Sequence, residues 1–269
     1  MAQMVFKRYE IKYQLNDAQR SRLERVMAQH MVPDEFGPST VRNIYYDTPT
    51  HLLARRSAEH PYYKEKLRIR SYASAGDETP VFVELKKKCD GIVYKRRCTL
   101  PLSEGHALLM GERAPQTQIE RELAFAAGRY EGLAPAMFVA YDREAFYDEH
   151  DHEFRMTFDR AVRCRWQGVG LAGSTAGALL TPADQSLLEV KCAAGMPLWL
   201  VDFLSAEGIF KGRFSKYGAA VALRMAQEGL VHAPRVVAQP TFAGPRHLRT
   251  SDASPYARRV SVPRAAALA

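Results

Sequence analysis

Cysteine is scarce: Cys89, Cys98, Cys164 and Cys192 are the four thiols among 269 residues, and no two are in a CxxC spacing. They indicate neither a zinc site nor a disulfide framework and fit a reducing cytoplasm. Long hydrophobic runs are missing too. The longest, such as 197–204, is short and broken by Asp202, so no membrane-spanning segment is expected. The opening MAQMVFKRYEIKY lacks the apolar stretch of a secretory signal. No Walker-type phosphate loop occurs, so a nucleotide would have to be gripped by side chains rather than by a glycine-rich backbone.

Acid is in deficit. The 38 Lys and Arg outnumber the 30 Asp and Glu, giving +8 and a pI near 9.3, which suits a polyanionic partner. Much of that excess lies in residues 231–269, which hold six Arg, one Asp, no Lys or Glu, and no sustained period. This segment reads as a basic, disordered tail able to meet nucleic acid or another anion. The expected domain therefore spans 1–230, carries little net charge, and must be read from where its charges sit.

Residues 5–15 alternate with period two: Lys7, Tyr9, Ile11, Tyr13 and Leu15 share one mainly apolar strand face, and Phe6, Arg8, Glu10 and Lys12 the other, mainly charged one. Asn16 with Gln19 three residues on, followed by Leu23, Val26 and Met27, signals a capped helix to about residue 31. Strand patterns follow at 43–46, 64–72, 81–88, 92–100, 136–147, 153–166 and 186–192, with Asp90-Gly91 marking a hairpin. Helical patterns fall at 103–110, 117–130, 197–207 and 215–228.

The charged faces recur from strand to strand. Lys66, Arg68 and Arg70 oppose Leu67 and Ile69; Glu84, Lys86 and Lys88 oppose Val83 and Leu85. Lys95 pairs with Arg97, Arg155 with Thr157 and Asp159, and Glu189 with Lys191. One wet face of an antiparallel sheet explains any single strand of this kind. Repetition dominated by Arg and Lys points instead to a sheet closing around a polar interior, with helices covering the apolar outside. The expected class is thus α+β, a closed antiparallel β-tunnel with a charged lumen and helices packed outside.

Arg8-x-Glu10-x-Lys12, Tyr45-Tyr46-Asp47-Thr48-Pro49, Leu67-Arg68-Ile69-Arg70, Glu84-Leu85-Lys86, Tyr94-Lys95-Arg96-Arg97, Tyr141-Asp142-Arg143, Arg155-Met156-Thr157-Phe158-Asp159, Leu188-Glu189-Val190-Lys191 and Phe214-Ser215-Lys216-Tyr217 stand in this order. Together they resemble the triphosphate tunnel fold of the CYTH and VTC families, over about residues 4–227. Arg rather than Glu at position 8 resembles the VTC polyphosphate polymerase domain. The resemblance implies that Arg8, Lys12, Arg68, Arg70, Lys86, Lys95, Arg97, Arg143, Arg155, Lys191, Arg213 and Lys216 contact phosphate oxygens. It also implies that Glu189 holds Mn²⁺ or Mg²⁺, with Glu10 and Glu84 either joining the metal or orienting neighbouring cations. Arg213 departs from the pattern, standing where the eukaryotic polymerases have Lys.

The implied activity is transfer of the γ-phosphoryl of ATP to a growing polyphosphate chain. A triphosphatase of the same fold and a non-catalytic polyphosphate-binding module are the rival readings. Two other patterns weigh less. The GxGxxG run 168–173 has no strand-turn-helix setting and reads as a loop, and the acidic and His-bearing stretch 148–153 reads as a solvated hairpin turn. Tyr45, Tyr46, Tyr62 and Tyr63 are candidates for base stacking or, more commonly, for packing.

Overall fold

The structure, a computed structural model, describes residues 9–229 except 60, 61, 91 and 194. Arg8 and the basic segment 231–269 lie outside the described residues.

Ten strands join in one antiparallel sheet: β1 (Tyr9–Asn16), β2 (Val32–Pro33), β3 (Ser39–Asp47), β4 (Tyr63–Ser71), β5 (Pro80–Cys89), β6 (Ile92–Pro101), β7 (Ala134–Tyr147), β8 (Arg155–Arg165), β9 (Ala178–Leu179) and β10 (Gln185–Cys192). The helices are α1 (Asp17–Met27), α2 (Leu52–Ala58), α3 (Leu102–Met110), α4 (Gln118–Gly128), α5 (Leu198–Ala206) and α6 (Lys216–Gln227). The path runs β1-β10-β8-β7-β3-β4-β5-β6, with β2 on β7 and β9 on β8.

The sheet does not close, which corrects the expectation of a closed tunnel. β1 and β6 end the path without pairing with each other. The sheet nevertheless curls far enough to bring its ends together, because Glu10 on β1 meets Lys86 on β5 at 2.5 Å. The free edge of β1 is met by the segment before α6 instead, where the Gly212 N–H donates to Lys12 O at 2.7 Å.

Alternation sorts the side chains as the period-two pattern requires. On the outer face, Ile44, Leu67, Ile69, Val83 and Leu85 form one core with Leu108 and Leu109 of α3 and Leu123 of α4. A second outer core joins Tyr13, Leu15, Phe158, Leu188 and Val190 to Leu23 and Met27 of α1 and Leu200 and Leu204 of α5. Asn16 and Gln19 close a reciprocal capping box at the start of α1.

The third core lies on the inner face and overturns the expectation that all helices pack outside. Val41, Tyr45, Met137, Val139, Val162, Cys164 and Leu187 gather with Tyr217, Ala220 and Val221 of α6. The inner face is therefore charged over part of its area and apolar where α6 covers it. On β8 a register shift against β7 carries this change: Ala161, at φ 45°, is an extra residue that brings both Asp159 and Val162 to the inner side. Asp47, 1 % exposed, fixes α2 and α6 together, accepting from the Leu53 and Ala54 amides and from the Tyr217 hydroxyl at 2.6 Å.

Candidate functional site

The inner-face cations are organised around four carboxylates. Glu84 of β5 is 1 % exposed and receives Arg68 of β4 at 2.7 Å and both Lys95 and Arg97 of β6, with Arg70 at 3.9 Å. Burial works against its charge, but Arg68, Arg70, Lys95 and Arg97 outweigh it and hold the carboxyl well below the usual range. Arg70 is tied further to Asn43 Oδ1 at 2.8 Å and to the Tyr141 hydroxyl at 2.9 Å.

Asp159 of β8, 0 % exposed, accepts two parallel bonds from Arg143 of β7 at 2.6 and 2.8 Å and one from Lys216 of α6 at 2.5 Å. Glu10 is occupied by Lys86. Each of these three carboxylates thus has at least one cation at bonding distance, and each orients the cations around it.

Glu189 of β10 differs. Among the described residues it makes no hydrogen bond, and its nearest cations, Arg143 and Lys191, stand at 3.9 Å. Its side chain is only 13 % exposed. Burial opposes its ionisation, yet Lys191, Lys12, Lys86 and Arg143 keep it well below the ordinary carboxylate value. Thr157 is its register partner on β8, and the Thr157 hydroxyl is buried without a hydrogen-bond partner. A charged carboxylate and an unsatisfied oxygen on neighbouring strands fit a hard divalent cation, whose remaining positions substrate oxygens would fill. No group of three or more His, Cys, Asp or Glu forms a cation cage among the described residues.

The other cations of the sequence reading fall as follows. Lys12 donates to Phe214 O at 3.1 Å, and burial lowers its pKa while Glu189 opposes that shift. Lys191 is lowered by burial against the pull of Glu189. Arg155 is exposed at the strand end, bonding to His152 O at 2.9 Å, and Arg213 is exposed in the segment leading to α6. Neither belongs to the buried cluster.

Lys66, to which the sequence assigned no phosphate contact, joins the same cluster of cations. Its Nζ lies 2.9 Å from Ser215 Oγ, the residue that caps α6. Burial and the neighbouring Lys12 and Lys86 push its ammonium down to about 7. Its place on the charged face of β4 was legible; its convergence with Lys12 and Lys86, from strands distant in sequence, was not.

The two weaker motifs have structural roles. The loop 168–177 turns its carbonyls onto guanidiniums: Arg165 donates to Gly168, Gly170, Ser174 and Ala176 oxygens, and Arg42 to those of Leu171 and Gly173. That is opposite in polarity to a phosphate cradle, which presents N–H groups. The stretch 148–153 is the β7-β8 turn, where Asp148 Oδ1 accepts from the His150 and Asp151 amides. Tyr45 stacks on Tyr217 at 4.5 Å, and Tyr46 is fully buried against His106, so both are packing residues.

The antiparallel sheet thus curls over a cluster of Arg and Lys with carboxylates set among them. The VTC domain model matches residues 7–225, and the chain belongs to that family. No curated protein matches it significantly. Among solved structures, the chain is similar to a candidate adenylate cyclase from Vibrio parahaemolyticus at 13 % identity and TM-score 0.45, covering 80 % of this chain and 98 % of that one. It is similar also to one from Bacillus halodurans at 15 % identity and TM-score 0.49, covering 79 % and 96 %. A third is HpAC1 from Hippeastrum, described as a candidate adenylyl cyclase with dominant triphosphatase activity, at 16 % identity and TM-score 0.45, covering 82 % and 96 %. Among the described residues, no helix is long and apolar enough to cross a membrane.

Proposed function

We propose that this protein is a metal-dependent phosphotransferase that moves the γ-phosphoryl of ATP onto a polyphosphate chain along the basic inner face of its curled sheet. The observation that carries the reading is Glu189, an ionised and nearly buried carboxylate that no described cation binds closely. A structural ion-pair partner would be engaged as Asp159 and Glu84 are. A carboxylate left charged, with an unpartnered hydroxyl on its register partner Thr157, supports a role in holding Mg²⁺ or Mn²⁺. Bound there, the ion would draw charge from phosphate oxygens during in-line transfer.

The remaining chemistry belongs to positioning. Among the described residues, the ten cations Lys12, Lys66, Arg68, Arg70, Lys86, Lys95, Arg97, Arg143, Lys191 and Lys216 share the four carboxylates Glu10, Glu84, Asp159 and Glu189, so the site keeps a cationic surplus. Such a surplus, partly removed from water, favours a chain of phosphates and aligns donor and acceptor without a covalent intermediate. Arg8, which resembles the polymerase pattern in sequence, is assigned to the same phosphate array, with Arg155 and Arg213 at its margin. Residues 1–230 carry this activity, and the basic segment 231–269 serves product or another polyanion.

Hydrolysis of triphosphate is the competing outcome, since water can replace the acceptor at the same site. Incubation of the purified protein with ATP and Mn²⁺ or Mg²⁺, followed by separation of long polyphosphate from free phosphate, decides between them. Polymer supports the transferase; free phosphate alone assigns a triphosphatase; neither product leaves a binding module.

A further inference from the structure

We propose that Tyr72, Phe82 and Arg97 form a nucleobase subsite at one mouth of the basic inner face, which makes the protein prefer a nucleoside triphosphate over inorganic tripolyphosphate. The inference rests on the phosphate-binding reading above and extends it to the other end of the donor. Along β4 the inward residues run Lys66, Arg68, Arg70 and then Tyr72, the first residue beyond the strand. From Arg68 to Tyr72 is four residues, about 13 Å at the strand rise. That order places phosphate-binding cations first and an aromatic ring last, matching the polarity of a nucleoside triphosphate.

The ring is available. Tyr72 is 42 % exposed, whereas the inner-face aromatics Tyr45, Tyr141 and Tyr217 are buried. It meets Phe82 of β5 edge to face at 5.9 Å, and the Arg97 guanidinium lies over the Phe82 ring at 4.1 Å. An open aromatic face next to a stacked guanidinium offers two flat surfaces to a base, a sequence-tolerant way of holding one. The opposite end of the phosphate array is occupied differently, since Lys66 there meets Ser215 at the start of α6. The field at this mouth is cationic as well: burial raises the Tyr72 phenol, but Arg70 and Arg97 overcome it and bring it down to about 8. An α-phosphate next to the base would meet Arg97, whose side chain is 32 % exposed, while Arg70 stays tied to Asn43 and Tyr141 behind it.

The test compares ATP and inorganic tripolyphosphate, each titrated calorimetrically into the full chain with Mg²⁺, for the wild type, Tyr72→Ala and Tyr72→Phe. The wild type should bind ATP more tightly than tripolyphosphate, and Tyr72→Ala should weaken ATP about tenfold while tripolyphosphate changes less than about twofold. Tyr72→Phe, which keeps the ring, should retain wild-type ATP affinity. Equal losses for both ligands, or no loss for ATP, would overturn the subsite while leaving the phosphate site in place. Failure of the wild type to bind either ATP or tripolyphosphate would overturn the proposed function and the subsite together.

Discussion

Asp159→Asn is the substitution whose consequences the structure constrains most tightly. The carboxylate is fully buried and takes three charged hydrogen bonds, two from Arg143 and one from Lys216. Burial disfavours its ionisation, but Lys216 and Arg143 prevail and bring the carboxyl down to about 2 from an ordinary 3.8. That depression is equivalent to about 2 kcal/mol of stability. Breaking a buried pair by deleting one partner commonly costs about 3 to 5 kcal/mol. The smaller figure applies here, because Asn keeps the volume and one acceptor oxygen. Since the folded value is the depressed one, the contribution is complete above pH 4 and disappears as pH falls towards 2. Urea unfolding at pH 7 should therefore place the variant about 2 kcal/mol below the wild type, and the gap should narrow on acidification through that window. Added tripolyphosphate should restore part of the loss at pH 7 by re-pairing Arg143 and Lys216. A gap that stays constant from pH 5 to pH 2, or one below about 0.5 kcal/mol at pH 7, would refute the assignment of Asp159 as the anchor of these cations.

Four further outcomes are expected. Lys66 sits at about 7 and Lys95 at about 8, so tripolyphosphate binding at pH 8 should take up protons; calorimetry in buffers of different ionisation enthalpy measures this, and zero uptake would contradict the placement of both. Because the Lys66 value is depressed, its effect on stability should grow more favourable as pH rises from 7 towards 10.5, and Lys66→Met should flatten that rise. Gly177→Ala would bring a Cβ to 2.4 Å from the Cys164 carbonyl oxygen of β8, so the melting temperature should drop by several degrees, about 1 to 3 kcal/mol of overpacking. Ending the chain after residue 230 should leave cooperative unfolding and turnover intact, as calorimetry and the polyphosphate assay would reveal.

What could be read from the sequence was local and periodic. Alternation at Lys66, Arg68 and Arg70 or at Glu84 and Lys86 specifies which residues share a strand face, and the Asn16 and Gln19 pair specifies where α1 begins. The sheet's closure was not legible, because it depends on whether β1 reaches β6 or the 212–216 segment, a choice made by tertiary packing. The pattern of α6 reads as an ordinary amphipathic helix, and nothing in it tells whether its apolar side covers the outer or the inner face. Its Tyr217, Ala220 and Val221 match an inner patch to which β8 contributes Val162 and Cys164 because the Ala161 bulge reverses the parity of that strand. Glu10 and Glu84 could each be assigned to metal or to cations from the motif alone; their engagement by Lys86 and by four cations is a three-dimensional fact.

The role of Glu189 as the metal carboxylate is tested most directly by Glu189→Gln, which keeps the size and removes the charge. Three quantities belong on the same variant: metal-dependent turnover, metal-free tripolyphosphate affinity and melting temperature. With the carboxylate as the ligand that lets the cation bridge phosphate oxygens, turnover should fall by about 100-fold or more. Metal-free affinity should stay the same or tighten, because one negative charge has left a cationic site, and the fold should hold, since Glu189 makes no close ion pair. Metal-dependent turnover close to the wild-type level would contradict the account.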